Sequence, residues 1–366
     1  MTDTDVTWTP SIGLLANQAF SGSRWKGVDA WRAAAEAGAE WISVTEEAHG
    51  MPEERRRQLR EDAEKAGTPI LITGCHAFGL SDPRDAVREF NLEWAKRQLD
   101  LTVELGARRM KVLLGEWVWR GMWPNALQWR LEVDTLRELC AYAERRGTVL
   151  SIELEPLENS FVNDPHSLAR MLADVGSPAL LANVDTSHMV VRGTPASELG
   201  QLAGRVDSID FSDSNGKFHE HLAPGTGVAD LAAFAGELVA DVRGRDALLA
   251  VEVGPFNEPD RAYDLVRASV TATRELFTGA RDPRSGGDGG SGLRTDGGGT
   301  PNRTDGGGTP NRTDGGRAPN RTDGGGHDAR DRADGGDDAR DRADGGDDAR
   351  DRADGGGEPR ADGGRG

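Results

Sequence analysis

The chain has 366 residues, 36% of them apolar, and a net charge of −18. That length could hold two folded domains, but from Ala280 to Gly366 the only large apolar residue is Leu293, with no Phe, Trp, Tyr, Ile, Val or Met. Such a segment cannot offset the entropy of ordering it, and the acid excess speaks against non-specific nucleic-acid binding.

Before that segment, eight short apolar runs alternate with eight amphipathic stretches. In chain order these are strand Ser11–Leu15, helix Val28–Ala37, strand Trp41–Thr45, helix Pro52–Ala66, strand Pro69–Thr73, helix Asp85–Leu105, strand Arg109–Leu114 and helix Ala126–Arg146. Strand Val149–Leu154, helix Asp164–Val175, strand Leu180–Val184, helix Ala196–Ala203, strand Val206–Phe211, helix Ala229–Val242, strand Leu248–Val253 and helix Asp260–Phe277 follow. The strands are almost continuously apolar, as strands covered on both faces are. A glycine stands at or just past the end of each helix, as a C-cap requires. Eight alternations give a barrel or a doubly wound sheet. The first strand lacks a G-x-G-x-x-G turn, which removes the support for a dinucleotide-binding sheet. Residues 1–279 are therefore expected to close as a (β/α)8 TIM barrel.

Residues 280–366 are expected to be a disordered, low-complexity tail rich in Gly, Asp and Arg. Arg-Thr-Asp-Gly-Gly-Gly-Thr-Pro-Asn begins at Arg294 and again at Arg303, and a ten-residue repeat begins at Asp337 and Asp347. The nine-residue period lacks the aliphatic residue per turn that a calcium-binding β-roll needs. Deleting the tail should leave melting temperature and turnover unchanged, since ordering one residue costs roughly 1–2 kcal/mol. Comparing the melts of the full chain and of a chain ending at residue 279 checks this, and a drop of several degrees contradicts it.

After residue 279 the chain carries 15 arginines and 19 acidic residues, so the barrel itself holds −14. Lysines number only five. A hydrated, self-repelling carboxylate surface is what concentrated salt favours, so a halophilic source is expected. Cys75 and Cys140 are too few for a disulfide framework. Met1 to Pro10 is polar and no apolar run reaches membrane-spanning length. A cytoplasmic protein is expected, with no membrane partner and with homo-oligomerisation left open.

In such barrels chemistry sits where strands end. The fifth strand closes with Glu153-Leu-Glu155-Pro, the sixth with Asn183-Val-Asp185-Thr-Ser-His188, the seventh with Asp210-Phe-Ser-Asp213, the eighth with Glu252-Val-Gly-Pro. Four successive strands thus bring carboxylates to one rim. Converging carboxylates repel unless a cation or a shared proton compensates, and a divalent metal is the simplest compensation. Glu153 and Glu155 point the same way; Glu155, nearer the strand end, is expected at the rim centre. His76 closes the third strand, and His219 and His221 follow the seventh. Trp117, Trp119 and Trp123 follow the fourth, where an indole could stack on a sugar ring.

These runs, together with Asp210-Phe-Ser-Asp-Ser-Asn-Gly, His221-Leu-Ala-Pro-Gly-Thr-Gly and Val251-Glu252, resemble the xylose isomerase-like TIM-barrel superfamily of sugar phosphate isomerases and epimerases. The resemblance covers the whole barrel and not the tail. It implies a metal-dependent isomerase or epimerase acting on a sugar or sugar phosphate by proton transfer through an enediolate. It also implies one divalent ion on Glu155, Asp185, Asp210 and Glu252, with Glu155 and Glu252 as acid and base and His188, His221 and Trp117 binding substrate. Asp210 departs from the family, which has a His there. An oxygen-only ligand set suits Mn2+ or Mg2+ over Co2+ or Zn2+. Three alternatives stay open: an inosose-dehydratase-like lyase, an endonuclease IV-like nuclease using His76, His188 and His221, and a non-catalytic sugar-binding barrel.

Overall fold

The computed structural model of the protein describes residues 8–76, 78–114, 121–242 and 245–280. Trp117, Trp119 and the tail from residue 281 lie outside the described residues. The strands are β1 (Ile12–Leu14), β2 (Trp41–Val44), β3 (Ile70–His76), β4 (Arg109–Leu113), β5 (Val149–Glu153), β6 (Leu180–Asp185), β7 (Val206–Phe211) and β8 (Leu248–Val251). They pair in parallel, in sequence order, and β8 closes onto β1. This is the expected (β/α)8 barrel.

The helices are α1 (Ala16–Ala19), α2 (Val28–Glu36), α3 (Glu53–Ala66), α4 (Asp85–Glu104), α5 (Asn125–Arg146), α6 (Pro165–Val175), α7 (Thr186–Arg192), α8 (Leu231–Val242) and α9 (Ala262–Gly279). The stretch expected as a helix from Ala196 is a 3-10 helix, Ala196–Leu202, and α1 and α7 were not expected. α7 begins directly on the end of β6 because Asp185 caps it: its Oδ1 accepts from the backbone N–H groups of Ser187 (2.7 Å) and His188 (3.2 Å). In α6 the start is fixed by a reciprocal capping box between Asp164 and Ser167.

Alternation along the strands sorts two layers. Ile12, Leu14, Ile42, Val44, Met110, Val112, Leu150 and Ile152 belong to the large core shared with the outer helices. Leu15, Trp41, Ile72, Leu248 and Ala250 form a separate small cluster. Lys111 alternates with Met110 and Val112, so it faces the lumen. Trp41 is fully buried, donates through Nε1 to the Ser11 carbonyl at 3.1 Å, and lies over Gly13, where an added Cβ would meet its ring at 2.2 Å. Gly13→Ala should therefore lower the melting temperature by about 5 °C, from an overpacking cost of roughly 1–3 kcal/mol. An unchanged melt would mean that the ring moves freely.

Candidate functional site

The C-terminal ends of β4 to β8 converge on one buried polar centre. Its middle is Lys111, 4% exposed, whose ammonium lies 2.9 Å from Asp210 Oδ2, 3.2 Å from Glu153 Oε2 and 3.4 Å from Glu252 Oε2. It donates hydrogen bonds to Asp210 and Glu252 and pairs with Glu153 by charge. Burial would favour the neutral amine, but Asp210, Glu153 and Glu252 outweigh it and hold Lys111 protonated, well above the ordinary lysine range. Burial pushes Asp210 up to about 6; Lys111 draws it down, while Glu252 and Asp185 push further. Burial also pushes Glu153 well above the carboxylate range, against the pull of Lys111 and helped by Glu155, Asp210 and Glu252.

Beside this triad sits Asp185, which is fully buried. Its Oδ1 accepts from the Ser187 hydroxyl at 2.7 Å as well as from the start of α7. Its Oδ2 has no hydrogen-bond partner among the described residues. Two imidazoles face it, His188 Nε2 at 3.5 Å and His221 Nδ1 at 3.6 Å. Burial works to raise the Asp185 carboxyl, but His188, His221 and the Ser187 bond hold it down at about 2.

His188 Nδ1 lies 2.7 Å from the Leu154 carbonyl, which can only accept, so Nδ1 carries the proton. Its Nε2 then presents a lone pair, 2.8 Å from His219 Nε2. Burial depresses His188 to about 4, with Asp185 opposing and His221 and His219 assisting, so the ring is neutral at pH 7. His221 Nε2 stands 3.6 Å from Glu252 Oε1.

His221 reaches the centre because its loop is folded back by Asp213. The Asp213 carboxylate accepts backbone N–H bonds from Ser214, Gly225, Gly227 and Ala229 at 2.8–3.0 Å. Leu222 and Asp213 pair in both directions at 2.9 Å, and Gly254 N–H donates to the His221 carbonyl at 3.0 Å. Gly227 leaves room for this, since a Cβ there would lie 2.3 Å from Asp213 Oδ1. Asp213 is thus a loop staple.

Of the expected site residues, Asp185, Asp210, Glu252, His188 and His221 come together. Glu155 is buried, with its N–H bonded to the Val162 carbonyl at 2.9 Å. Among the described residues, four groups of three have ligand atoms within 4.8 Å of one another: Glu153–Asp210–Glu252, Asp185–His221–Glu252, Glu153–Asp185–His188 and His188–His219–His221. Glu153 is in two of them and Glu155 in none. Lys111 is a cation among the carboxylates of the first group. His76 is in none of them; its Nδ1 and N–H meet Glu47 Oε1 at 2.7 and 2.9 Å, and Trp94 donates to Glu47 Oε2 at 2.8 Å. Sequence reasoning missed Lys111, although it is one of five lysines and the one inside a predicted strand.

The profile described as xylose isomerase-like TIM barrel matches residues 31–268. A search among curated proteins finds no match. Solved structures similar to this chain include the 3-keto-D-glucoside 4-epimerase YcjR from E. coli, with TM-score 0.60 and 19% identity over 73% of this chain and 99% of that one. They also include a D-psicose 3-epimerase from Clostridium cellulolyticum H10 (0.60, 15%, covering 73% and 99%) and an L-ribulose 3-epimerase (0.59, 18%, covering 73% and 95%). At these identities the likeness is one of fold.

Proposed function

Because this chain belongs to the xylose isomerase-like TIM barrel family, we propose that it is a metal-dependent isomerase or epimerase acting on a sugar or sugar phosphate. The observation that carries this reading is Asp185 Oδ2, a fully buried carboxylate oxygen without a hydrogen-bond partner among the described residues. Such an atom is costly unless a cation meets it. Asp185, His221 and Glu252 would hold a divalent ion there, their ligand atoms lying within 4.8 Å of one another. Mixed carboxylate and imidazole donors suit Mn2+ or Co2+ better than Mg2+. The epimerase activities of the similar solved structures support a sugar substrate.

An ion held by these residues would supply Lewis-acid stabilisation of the negative charge that develops on the substrate oxygens as a carbon-bound proton leaves. Glu252 takes that proton, while Lys111 holds one oxygen of the same carboxylate. Glu155, the second carboxylate of this pair, returns a proton. Return to the same carbon gives the epimer; return to its neighbour gives the aldose–ketose isomer. His188, neutral and oriented by the Leu154 carbonyl, accepts a substrate hydroxyl at Nε2 in place of its contact with His219.

Ketoses, aldoses and their phosphates incubated in high salt with Mn2+, Mg2+ or Co2+ test the reading. A new epimer or isomer should form in NMR spectra, vanish with EDTA and return with metal. Unchanged sugars across the panel with metal-loaded protein would contradict it.

A further inference from the structure

Among the described residues, two of the four ligand-competent groups share Glu252 and differ in what already sits among them. The group Glu153–Asp210–Glu252 surrounds the Lys111 ammonium at 3.2, 2.9 and 3.4 Å. The ammonium donates hydrogen bonds to Asp210 and Glu252 and faces Glu153 Oε2 as an ion pair, each carboxyl side chain being at most 7% exposed. In the group Asp185–His221–Glu252, Asp185 has no ion pair to a lysine or arginine among the described residues, and its Oδ2 is without a hydrogen bond among them. The shared residue is divided: Glu252 Oε2 turns to Lys111 and Oε1 to His221 Nε2 at 3.6 Å.

We propose that Lys111 is a resident cation that fills the Glu153–Asp210–Glu252 group and so confines a divalent ion to Asp185, His221 and the Oε1 side of Glu252. Asp210, standing at the strand end where the family has a histidine, then serves as the counter-ion of Lys111 and not as a ligand. His221, delivered by the loop that Asp213 staples, supplies the imidazole instead. Two cations held by one lumen of carboxylates repel, and the covalently attached one cannot leave, so it decides where the mobile one sits. Lys111 is a positioning residue in this account: it acts on the metal through the carboxylates it occupies. The inference rests on the metal reading above.

The test is Mn2+ binding by the full chain, stripped with EDTA and without sugar, followed by calorimetry and by pulsed EPR, which detects nitrogen ligands. The wild type should bind one Mn2+ with an imidazole nitrogen coupling. His221→Gln should lose that coupling and weaken binding by about 10–100-fold. Asp210→Asn should keep both the coupling and the affinity within about 3-fold, below the 10-fold loss that even an outer partner of a ligand gives. Lys111→Met should bind a second Mn2+ per chain, or bind the first at least about 10-fold tighter. Should Lys111→Met fail to fold, Asp210→Asn carries the test, because it keeps the shape and removes a buried charge. A coupling that survives in His221→Gln, an affinity that collapses in Asp210→Asn, or a folded Lys111→Met with unchanged stoichiometry and affinity overturns this inference alone. No Mn2+ bound by the wild type overturns it together with the metal reading.

Discussion

Glu252→Gln is expected to slow exchange of a carbon-bound sugar proton by at least about 100-fold, the usual scale of a lost general base, with the fold intact. Glu252 directly follows β8 and is 5% exposed, with one oxygen on Lys111 and the other facing His221. An amide keeps this shape and can still accept from Lys111, but it cannot take a proton from carbon. Glu155→Gln should behave alike if Glu155 returns the proton. Because a residue can serve as both ligand and base, the Mn2+ affinity of each variant is measured beside the exchange rate. Slow exchange with affinity retained assigns the base; slow exchange with affinity lost assigns the ligand. Near-normal exchange by either variant removes that residue from the mechanism.

Glu132→Gln is expected to stabilise the barrel above neutral pH. Glu132 lies inside α5, 2% exposed, and its Oε2 has no hydrogen-bond partner among the described residues. Burial alone pushes its carboxyl up to about 8, from an ordinary 4.5. The folded chain thus keeps a proton that the unfolded chain releases above 4.5. Below that pH both states are protonated and nothing is lost. From 4.5 to about 8 stability falls as pH rises, by at most about 1.4 kcal/mol per pH unit, and the loss is complete above the folded value. The full window corresponds to a few kcal/mol, or roughly 5–15 °C in melting temperature for a domain of this size. Gln is neutral throughout. The variant and the wild type should melt alike at pH 4.5 and diverge steadily towards pH 8.5. Parallel curves would mean that the carboxyl is solvated or paired.

The barrel was legible because its signal is local: apolar runs of strand length, a 3.6-residue rhythm between them, and a glycine at each helix end. Asp185 stood out for the same reason, since it closes a strand, and His188 because it follows three residues later. Lys111 was not, because Met110 and Val112 on either side make the segment read as an ordinary buried strand. Its role depends on carboxylates 42, 99 and 141 residues away in sequence, which only barrel closure brings together. The repulsion among strand-end carboxylates did signal that a cation was needed, without telling an ammonium from a metal. Glu153 and Glu155 share a face, so sequence position did not tell which of them reaches Lys111, and it is Glu153. The reach of His221 into the centre was hidden because Asp213 folds its loop through backbone bonds spanning up to 16 residues. α7 was missed because its seven residues follow directly on the capping Asp185 and include the site residue His188, and so read as a functional loop.

The most direct test of the central claim is deuterium wash-in by the wild-type chain. The protein, loaded with Mn2+, is incubated in heavy water with a panel of ketoses and ketose phosphates, and the sugars are followed by NMR. The account predicts that one substrate loses the signal of the hydrogen on the carbon beside its carbonyl, that the loss requires metal, and that it precedes or accompanies appearance of an epimer or isomer. Retention of every carbon-bound hydrogen by a folded chain that binds Mn2+ would contradict proton-transfer chemistry at this site and leave a barrel that only binds.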